Sequence, residues 1–394
     1  MSAERRPTLA ILIAVTMAGQ LALNIILPSM AGLAKTFHTT HSMVALTLTL
    51  FLAAMAVGQL VFGTMSDRFG RRPVVLGGLV LFNIGTVVCF TAPTIEVLIF
   101  GRIVQAVGGC AGMVMGRAMV RDIYDTNRAA AMIAYLTMAV VVVPTLAPLI
   151  GGYLDVWFGW QANFVFVLIV GLITLGLALV WAYETLPAEH RHDMEFLAMF
   201  RAFVALLRNS LFTGYAVQLS VNTAAYFAFL GSSPRILVDF MGGTIEQLGV
   251  YFLAVSSFYI CGNFGTAKLT KVFGVASMVT AGSLIAVVGA VSLLAVQMSV
   301  GLTPLTFFGL MSIIGLGNGF CISAGFTGAI SADPKRVGAA SGLAGSLQLG
   351  FSALVAYVVS LLLVDTALPL VTVMVLCTFI GLIAPVLGRR LAKA

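Results

Sequence analysis

Apolar runs of about 20 residues recur along the whole chain, and short polar clusters separate them. A run of that length is what an α-helix needs to cross the hydrocarbon core of a bilayer. Twelve spans are read, at 8–30, 43–64, 74–92, 96–117, 129–153, 161–183, 211–232, 247–268, 275–297, 303–327, 338–362 and 367–388. Helices are the expected element, because a helix satisfies its backbone groups within the segment. The alternating segments of about ten residues that build a membrane β-barrel do not occur. One long polar interval, 185–210, divides the spans into two sets of six. Within it Phe196, Phe200, Phe203, Val204 and Leu207 recur at helical spacing, with Arg201 and Arg208 on another face. Two placements fit: an amphipathic helix on the membrane surface, or a helix covering the base of a bundle. The expected units are therefore 1–184, a linker 185–210, and 211–394.

Composition agrees with this pattern. The chain is 60% hydrophobic and 9% charged, against about 25% charged in a soluble domain. The 21 Lys and Arg are unevenly placed. With the N-terminus in the cytoplasm, one side receives Arg5, Arg6, Arg68, Arg71, Arg72, Arg117, Arg121, Arg128, Arg191, Arg201 and Arg208. The same side receives Lys268, Lys271, Lys335, Arg336, Arg389, Arg390 and Lys393. The other side has Lys35 and Arg235, and Arg102 lies within a span. That asymmetry is the positive-inside signal, and it predicts both termini in the cytoplasm. The net charge of +7 is thereby assigned to topology and anionic lipid, not to nucleic acid.

The start of the chain, "MSAERRPTLAILIAV", has the outline of a signal peptide. Its apolar run continues to Pro28 without a small-residue cleavage site, so it is read as an uncleaved first span. The five cysteines, Cys89, Cys110, Cys261, Cys321 and Cys377, all fall within spans and have no paired spacing. They are read as small packing residues, not as disulfides or metal ligands. His38 and His41, three apart in the first outer loop, lack the further ligands a metal needs. No Walker motif is present, so neither ATP nor any other cofactor is expected, and no catalytic cluster suggests an enzyme.

The charges that do occur form a pattern. Between spans 2 and 3 the chain reads "GTMSDRFGRRP", with Gly63, Asp67, Arg68, Gly70, Arg71 and Arg72. Gly63 is expected to admit a neighbouring helix. Asp67 is poorly placed alone at a helix C-terminus and needs a cation or another helix's N-terminus. Gly338 at the start of span 11, and Arg117 and Arg121 at the end of span 4, lie on its side. The expectation is a bridge from Asp67 between the halves when the inner gate is closed, broken on opening. A purely topogenic basic loop is the plainer reading. "KVFG" at 271–274 repeats "DRFG" at 67–70 half a chain later, which points to an internal duplication.

This loop resembles the G-x-x-x-D-R-x-G-R-R/K motif of the major facilitator superfamily. Two further stretches are similar to that family's. Span 4 carries Arg102, Gln105 and Gly108 in an R-x-x-Q-x-x-G pattern, followed by Gly112 and Gly116. Span 5 carries Ala147, Pro148, Gly151 and Gly152, close to the G-P-x-x-G-G element of antiporters. With "LPSM" in span 1 and "FGWQANFVF" after span 5, the chain resembles the bicyclomycin/chloramphenicol-type drug exporters. The resemblance implies an all-α integral membrane protein of twelve helices in two pseudo-symmetric six-helix bundles. It implies a bacterial inner-membrane monomer that exports small amphipathic drug-like compounds against protons by alternating access. Residues have plainer readings too: Arg102 as a snorkelling side chain instead of one facing a wet cavity, and Pro148 as a packing kink.

One position departs from those relatives. They carry an Asp in span 1 four residues before the Pro, and here it is Asn24, which cannot titrate. The acids lie at span edges: Glu96 and Glu246 start spans, Glu184 ends one, and Asp239 follows span 7. The proton carrier is therefore an edge acid, the substrate itself, or missing. The resemblance implies a cavity lined by spans 1, 4, 7 and 10. Candidate lining residues are Gln20 and Asn24; Arg102 and Gln105; Gln218, Asn222 and Tyr226; Tyr259 and Asn263 on span 8; and Asn318 and Phe320. Amides with aromatics suit an amphipathic guest, and the same amides also suit interhelical hydrogen bonds. The alternative function is transport of a sugar, amino acid or organic acid, with Arg102 as a carboxylate clamp.

Overall fold

The computed structural model describes residues 7–124, 126–187, 189, 196–334 and 336–392. It is all-helical among the described residues. α1 (Leu9–Ile25) gives way to a 3-10 turn, Leu27–Ser29, and then α2 (Met30–Thr36). Pro28, which has no backbone N–H to donate, lies at that break. The N-terminal half continues with α3 (His41–Phe69), α4 (Arg71–Phe90), α5 (Ile95–Ile123), α6 (Thr126–Phe158) and α7 (Gln161–Trp181). The linker contains α8 (Phe196–Arg208). The C-terminal half is α9 (Ser210–Arg235), a π-turn Ile236–Phe240, α10 (Ile245–Ser299), α11 (Pro304–Ser331), α12 (Val337–Leu362) and α13 (Leu368–Leu391).

Among the described residues, nine helices are long and apolar enough to cross a membrane. α10 is one 55-residue helix by its hydrogen bonds, but Gly274 inside it has non-helical angles (φ 78°, ψ 161°). Divided there, it supplies two spans. α6 and α9 complete the twelve. α9 is the polar exception, because Gln218, Ser220, Asn222 and Thr223 interrupt its apolar sequence. Four helix starts away from the basic residues are capped by side chains, as Thr40, Thr94, Thr244 and Thr303 each accept from a backbone N–H three residues on. Such caps satisfy groups that a helix leaves open.

Small residues set the packing inside each half. α5 lies at the centre of the first, against α1, α3 and α4. Its glycine stripe meets two neighbours: Gly108 faces Phe82 of α4, and Gly112 faces Val15 of α1. In the second half α9 packs on α11, α12 and α13. Large apolar side chains such as Phe100, Trp157, Ile173, Val288 and Leu376 are exposed outward, as a surface in contact with lipid tails requires. α8 combines both placements open to it. Leu206 is fully buried against the second half, while Phe200 and Leu207 are exposed.

The two halves meet through α3 with α12 and α6 with α10. These contacts favour one end. Leu149 touches Gly249, Gly152 lies near Ile245 and Pro28, and Leu48 near Gly231. Halfway along, Ala56 lies near Gly350 and the Gln59 side chain presses on Gly345. Closer to the basic end the glycines of this pair of helices make no such contact. Gly63 of α3 and Gly338 of α12 both have open space where a Cβ would project. The expected close neighbour of Gly63 is therefore not in place in this arrangement.

Candidate functional site

The basic end of the first half is built on a one-residue turn. α3 runs through Phe69 and α4 begins at Arg71, so Asp67 and Arg68 lie on the last turn of a helix and not in a loop. Gly70 alone connects them, at φ 95° and ψ 160°, a region that is essentially restricted to glycine. This reversal brings Arg71 back over the end of α3. Its Nη1 lies 2.6 Å from Asp67 Oδ1, and it also donates to Ser66 Oγ. Its Nε donates to Asp122 Oδ2 of α5 at 3.0 Å. Asp122 accepts in addition from Thr185 Oγ1 at 2.9 Å. Glu184 takes the N–H of Arg71 at 2.9 Å and of Arg72 at 3.3 Å. It thereby caps the start of α4, where a carboxylate is favoured by the helix dipole. Arg72 Nη2 reaches the Leu179 carbonyl at 3.0 Å, and Arg68 is exposed over the Phe69 ring.

The bridge expected of Asp67 with the inner gate closed is not formed in this arrangement. Asp67 pairs within its own half, and no contact from it to Gly338, Arg117 or Arg121 occurs among the described residues. Arg121 is exposed. Arg117 instead sets its guanidinium 5.6 Å from the Phe326 ring of α11, across the seam between the halves. The sequence reading also missed Asp122 and Glu184 as partners. "RDIYD" and "YETLP" held the signal: an acid beside the basic end of its helix.

The polar residues of the spans fall into three groups. Gln20 is half-buried and donates to Met113 Sδ at 3.6 Å, while Asn24 is buried and donates back to the Gln20 carbonyl at 2.8 Å. Arg102 and Gln105 are fully buried. Arg102 Nη1 donates to the Ala22 carbonyl at 2.8 Å and to Gln105 Oε1 at 2.7 Å. Its guanidinium lies 4.0 Å from the centre of the Phe51 ring. Gln105 donates onward to Thr86 Oγ1 at 2.8 Å. This chain ties α1, α3, α4 and α5 together. Arg102 neither snorkels to an interface nor faces an open cavity here, because protein groups surround it.

In the second half Gln218 and Asn222 are likewise fully buried. Gln218 donates to the Cys321 carbonyl at 3.3 Å, and Asn222 to the Gln218 carbonyl at 3.0 Å. Gly325 of α11 and Gly381 of α13 leave room for the two amides. Asn318 is buried one turn from Cys321. The third group is the more accessible one. Tyr226 and Tyr259 stack with centroids 6.0 Å apart and planes 15° apart. Asn263 donates to the Tyr259 carbonyl at 3.1 Å and accepts from Ser323. Phe320 packs against Gly265, and all five of these side chains are half-buried. Pro148, Gly151 and Gly152 sit where the halves meet. A Cβ at Gly151 would collide with the Ile25 carbonyl of α1, and Leu149 beside Pro148 touches Gly249 of α10.

Two duplicated bundles of membrane-spanning helices, joined by a linker helix and separated toward one end, define a secondary-transporter fold. The Major Facilitator Superfamily pattern matches residues 9–357, and the chain belongs to that superfamily. Its members are transporters and not enzymes. The chain is 27% identical over 359 residues to a bicyclomycin resistance protein homolog of Haemophilus influenzae, covering 91% of this chain and 90% of that protein. It is 31% identical over 255 residues to multidrug resistance protein D of Escherichia coli, covering 64% of each. A chloramphenicol resistance protein of Pseudomonas aeruginosa is 31% identical over 254 residues, 64% of this chain and 57% of that one. Among solved structures, the human organic anion transporter MFSD10 (TETRAN) superposes with a TM-score of 0.73 over 98% of this chain and 100% of that one. At 16% identity this likeness shows the fold alone.

Proposed function

We propose that the protein is a secondary exporter of small amphipathic drug-like compounds that works by alternating access. The observation that carries the reading is the wedge between α3 and α12. These helices touch at Ala56–Gly350 and Gln59–Gly345, while Gly63 and Gly338 have open space where a Cβ would project. The basic end is cytoplasmic by the distribution of Lys and Arg, so both termini are cytoplasmic and the cleft opens inward. In the inner bacterial membrane this is the state that loads cargo from the cytoplasm. The units 1–184 and 211–394 rock about the cleft, and α8 of the linker 185–210 carries the second half's base. Tyr226, Tyr259, Asn263, Phe320 and Gln20 are the side chains that meet cargo. Arg102, Gln105, Gln218, Asn222 and Asn318 hold the walls. When the inner side closes, the glycines at 63 and 338 let α3 and α12 meet, and Asp67 then bridges to the start of α12.

The drug class follows the relatives, three of which are named for resistance to bicyclomycin, to chloramphenicol or to multiple drugs. A metabolite carrier with Arg102 as carboxylate clamp fits less well, because Arg102 is surrounded by protein. Antiport with protons is the proposed energy source, and the monomer the working unit. Overexpression in a drug-sensitive strain is expected to raise resistance to chloramphenicol or bicyclomycin at least fourfold. Purified protein in liposomes with an imposed pH gradient should move the same compounds. Resistance and flux both unchanged across a broad antibiotic panel would refute the export reading.

A further inference from the structure

The cleft is shut at the end opposite the basic residues, and a polar contact from His41 crosses the seam there. His41, first residue of α3, places Nε2 3.5 Å from Asp239 Oδ2 of the π-turn after α9. Asp239 is already shared with Arg235, whose Nε lies 3.9 Å away. Arg235 in turn donates to the carbonyls of Leu363 and Val364 at the end of α12. A small cavity between the halves is lined by His41, Met30 and Val44 on one side and by Gly231, Arg235 and Leu363 on the other. The His41 side chain is 33% exposed, so protons from that side reach it.

The charged groups facing His41 come from three elements: Lys35 of α2, Arg235 of α9 and Asp239 of the π-turn. With a neutral imidazole the seam holds two cations and one carboxylate, and Nε2–H can donate to Asp239. Protonation adds a third cation for the same single carboxylate, and the attraction of Asp239 is outweighed by burial first and by Arg235 next. The added charge falls at the N-terminal residue of a helix, where the dipole disfavours positive charge, and in a half-buried position, where charge is costly. Separating the halves returns the imidazolium to water and away from Arg235. A group that binds its proton more readily in one state shifts the balance toward that state as pH falls. The closed seam is therefore favoured above the imidazole range and weakened below it.

We propose that His41 is a proton-binding trigger of the outer gate: acid on the outer side opens the seam at His41–Asp239. The proposal rests on the alternating-access reading and deepens it. It gives a chain with Asn24 in place of the acid an element that responds to an outward-acid gradient, favouring the state that releases cargo outside.

The test is the distance between spin labels at Thr36→Cys and Thr366→Cys, in full-length protein with Cys261→Ser, at about pH 7.5 and about pH 5.5, either side of the imidazole range. In otherwise wild-type protein the outer-open fraction is expected to rise several-fold on acidification. His41→Gln keeps a donor for Asp239 without the titration and should remain closed at both values. His41→Lys carries a permanent cation and should be open at both. Acid opening that persists in His41→Gln overturns the proposal. So does a wild-type gate that ignores pH while chloramphenicol, the probe added at constant pH, still moves it. A gate that neither acid nor chloramphenicol moves sinks the alternating-access reading, and this proposal with it.

Discussion

The turn at Gly70 and the turn at Gly274 share one backbone shape and differ in their surroundings. Each joins the second and third spans of its half. Their angles are 95° and 160°, and 78° and 161°, and each follows a Phe in the repeated text "DRFG" and "KVFG". The first turn is locked by charge: Arg71 between Asp67 and Asp122, with Glu184 on the backbone of α4. At the second turn Lys271 stands where Asp67 does in the first, and Val275 stands where Arg71 does. Glycine therefore makes the turn in both halves, and the ionic network is an addition to one. It welds α3, α4, α5 and the end of α7 into a rigid unit. The C-terminal half has an apolar junction at the same place, with Val275 packed on a buried core that includes Phe212, Val279 and Cys321.

That contrast can be broken most sharply at Arg71. Arg71→Ala would strand the Asp122 carboxylate, with 18% of its side chain exposed, take a partner from the half-exposed Asp67, and should cost about 3 kcal/mol. The melting temperature in detergent should fall clearly, and drug flux in liposomes should fall with it. If Arg71→Ala melts like wild type, the network is not what holds this end together. Next come Gly70→Ala and Gly274→Ala, each forced into angles that L residues avoid, at about 1–3 kcal/mol. Similar losses in the two halves would support a shared turn. A loss confined to Gly70→Ala would make the ionic network of the first half, not the backbone shape the two turns share, the sensitive element. Glu184→Gln weakens the cap on α4 and should cost about 1 kcal/mol, with melting as the readout. Lys271→Ala is exposed and should stay within about 0.5 kcal/mol of wild type. A larger change would reveal a partner for Lys271 that a simple apolar junction lacks.

The sequence made the spans legible because every one of them must be apolar and near one length, whatever it packs against. Edges read from hydropathy fall close to the observed helices, as with 161–183 against Gln161–Trp181 and 338–362 against Val337–Leu362. The duplication was legible as a repeated Phe-Gly, but that each Gly makes a positive-φ turn came from the structure. The candidate site was read less well. A helical period states which residues share a face and not which neighbour that face meets. Gln218 and Asn222 form a polar stripe that looks like a cavity lining, yet both are buried against glycines of α11 and α13. Arg102 looks like a cavity or interface charge in isolation. Only the arrival of the Ala22 carbonyl and the Phe51 ring makes it a wall element.

The amino-acid sequence by itself determined the number of spans, their duplication, the sidedness of the charges and the family. Each of these follows from local composition, which the bilayer reads one segment at a time. The tertiary structure decided which acid meets Arg71, since Asp122 and Glu184 lie 51 and 113 residues away. It also decided that His41 faces Asp239 across the seam, and which end of the cleft is shut. Those outcomes depend on how distant helices dock, because a hydrogen bond or an ion pair acts over a few ångströms and leaves no period in the chain.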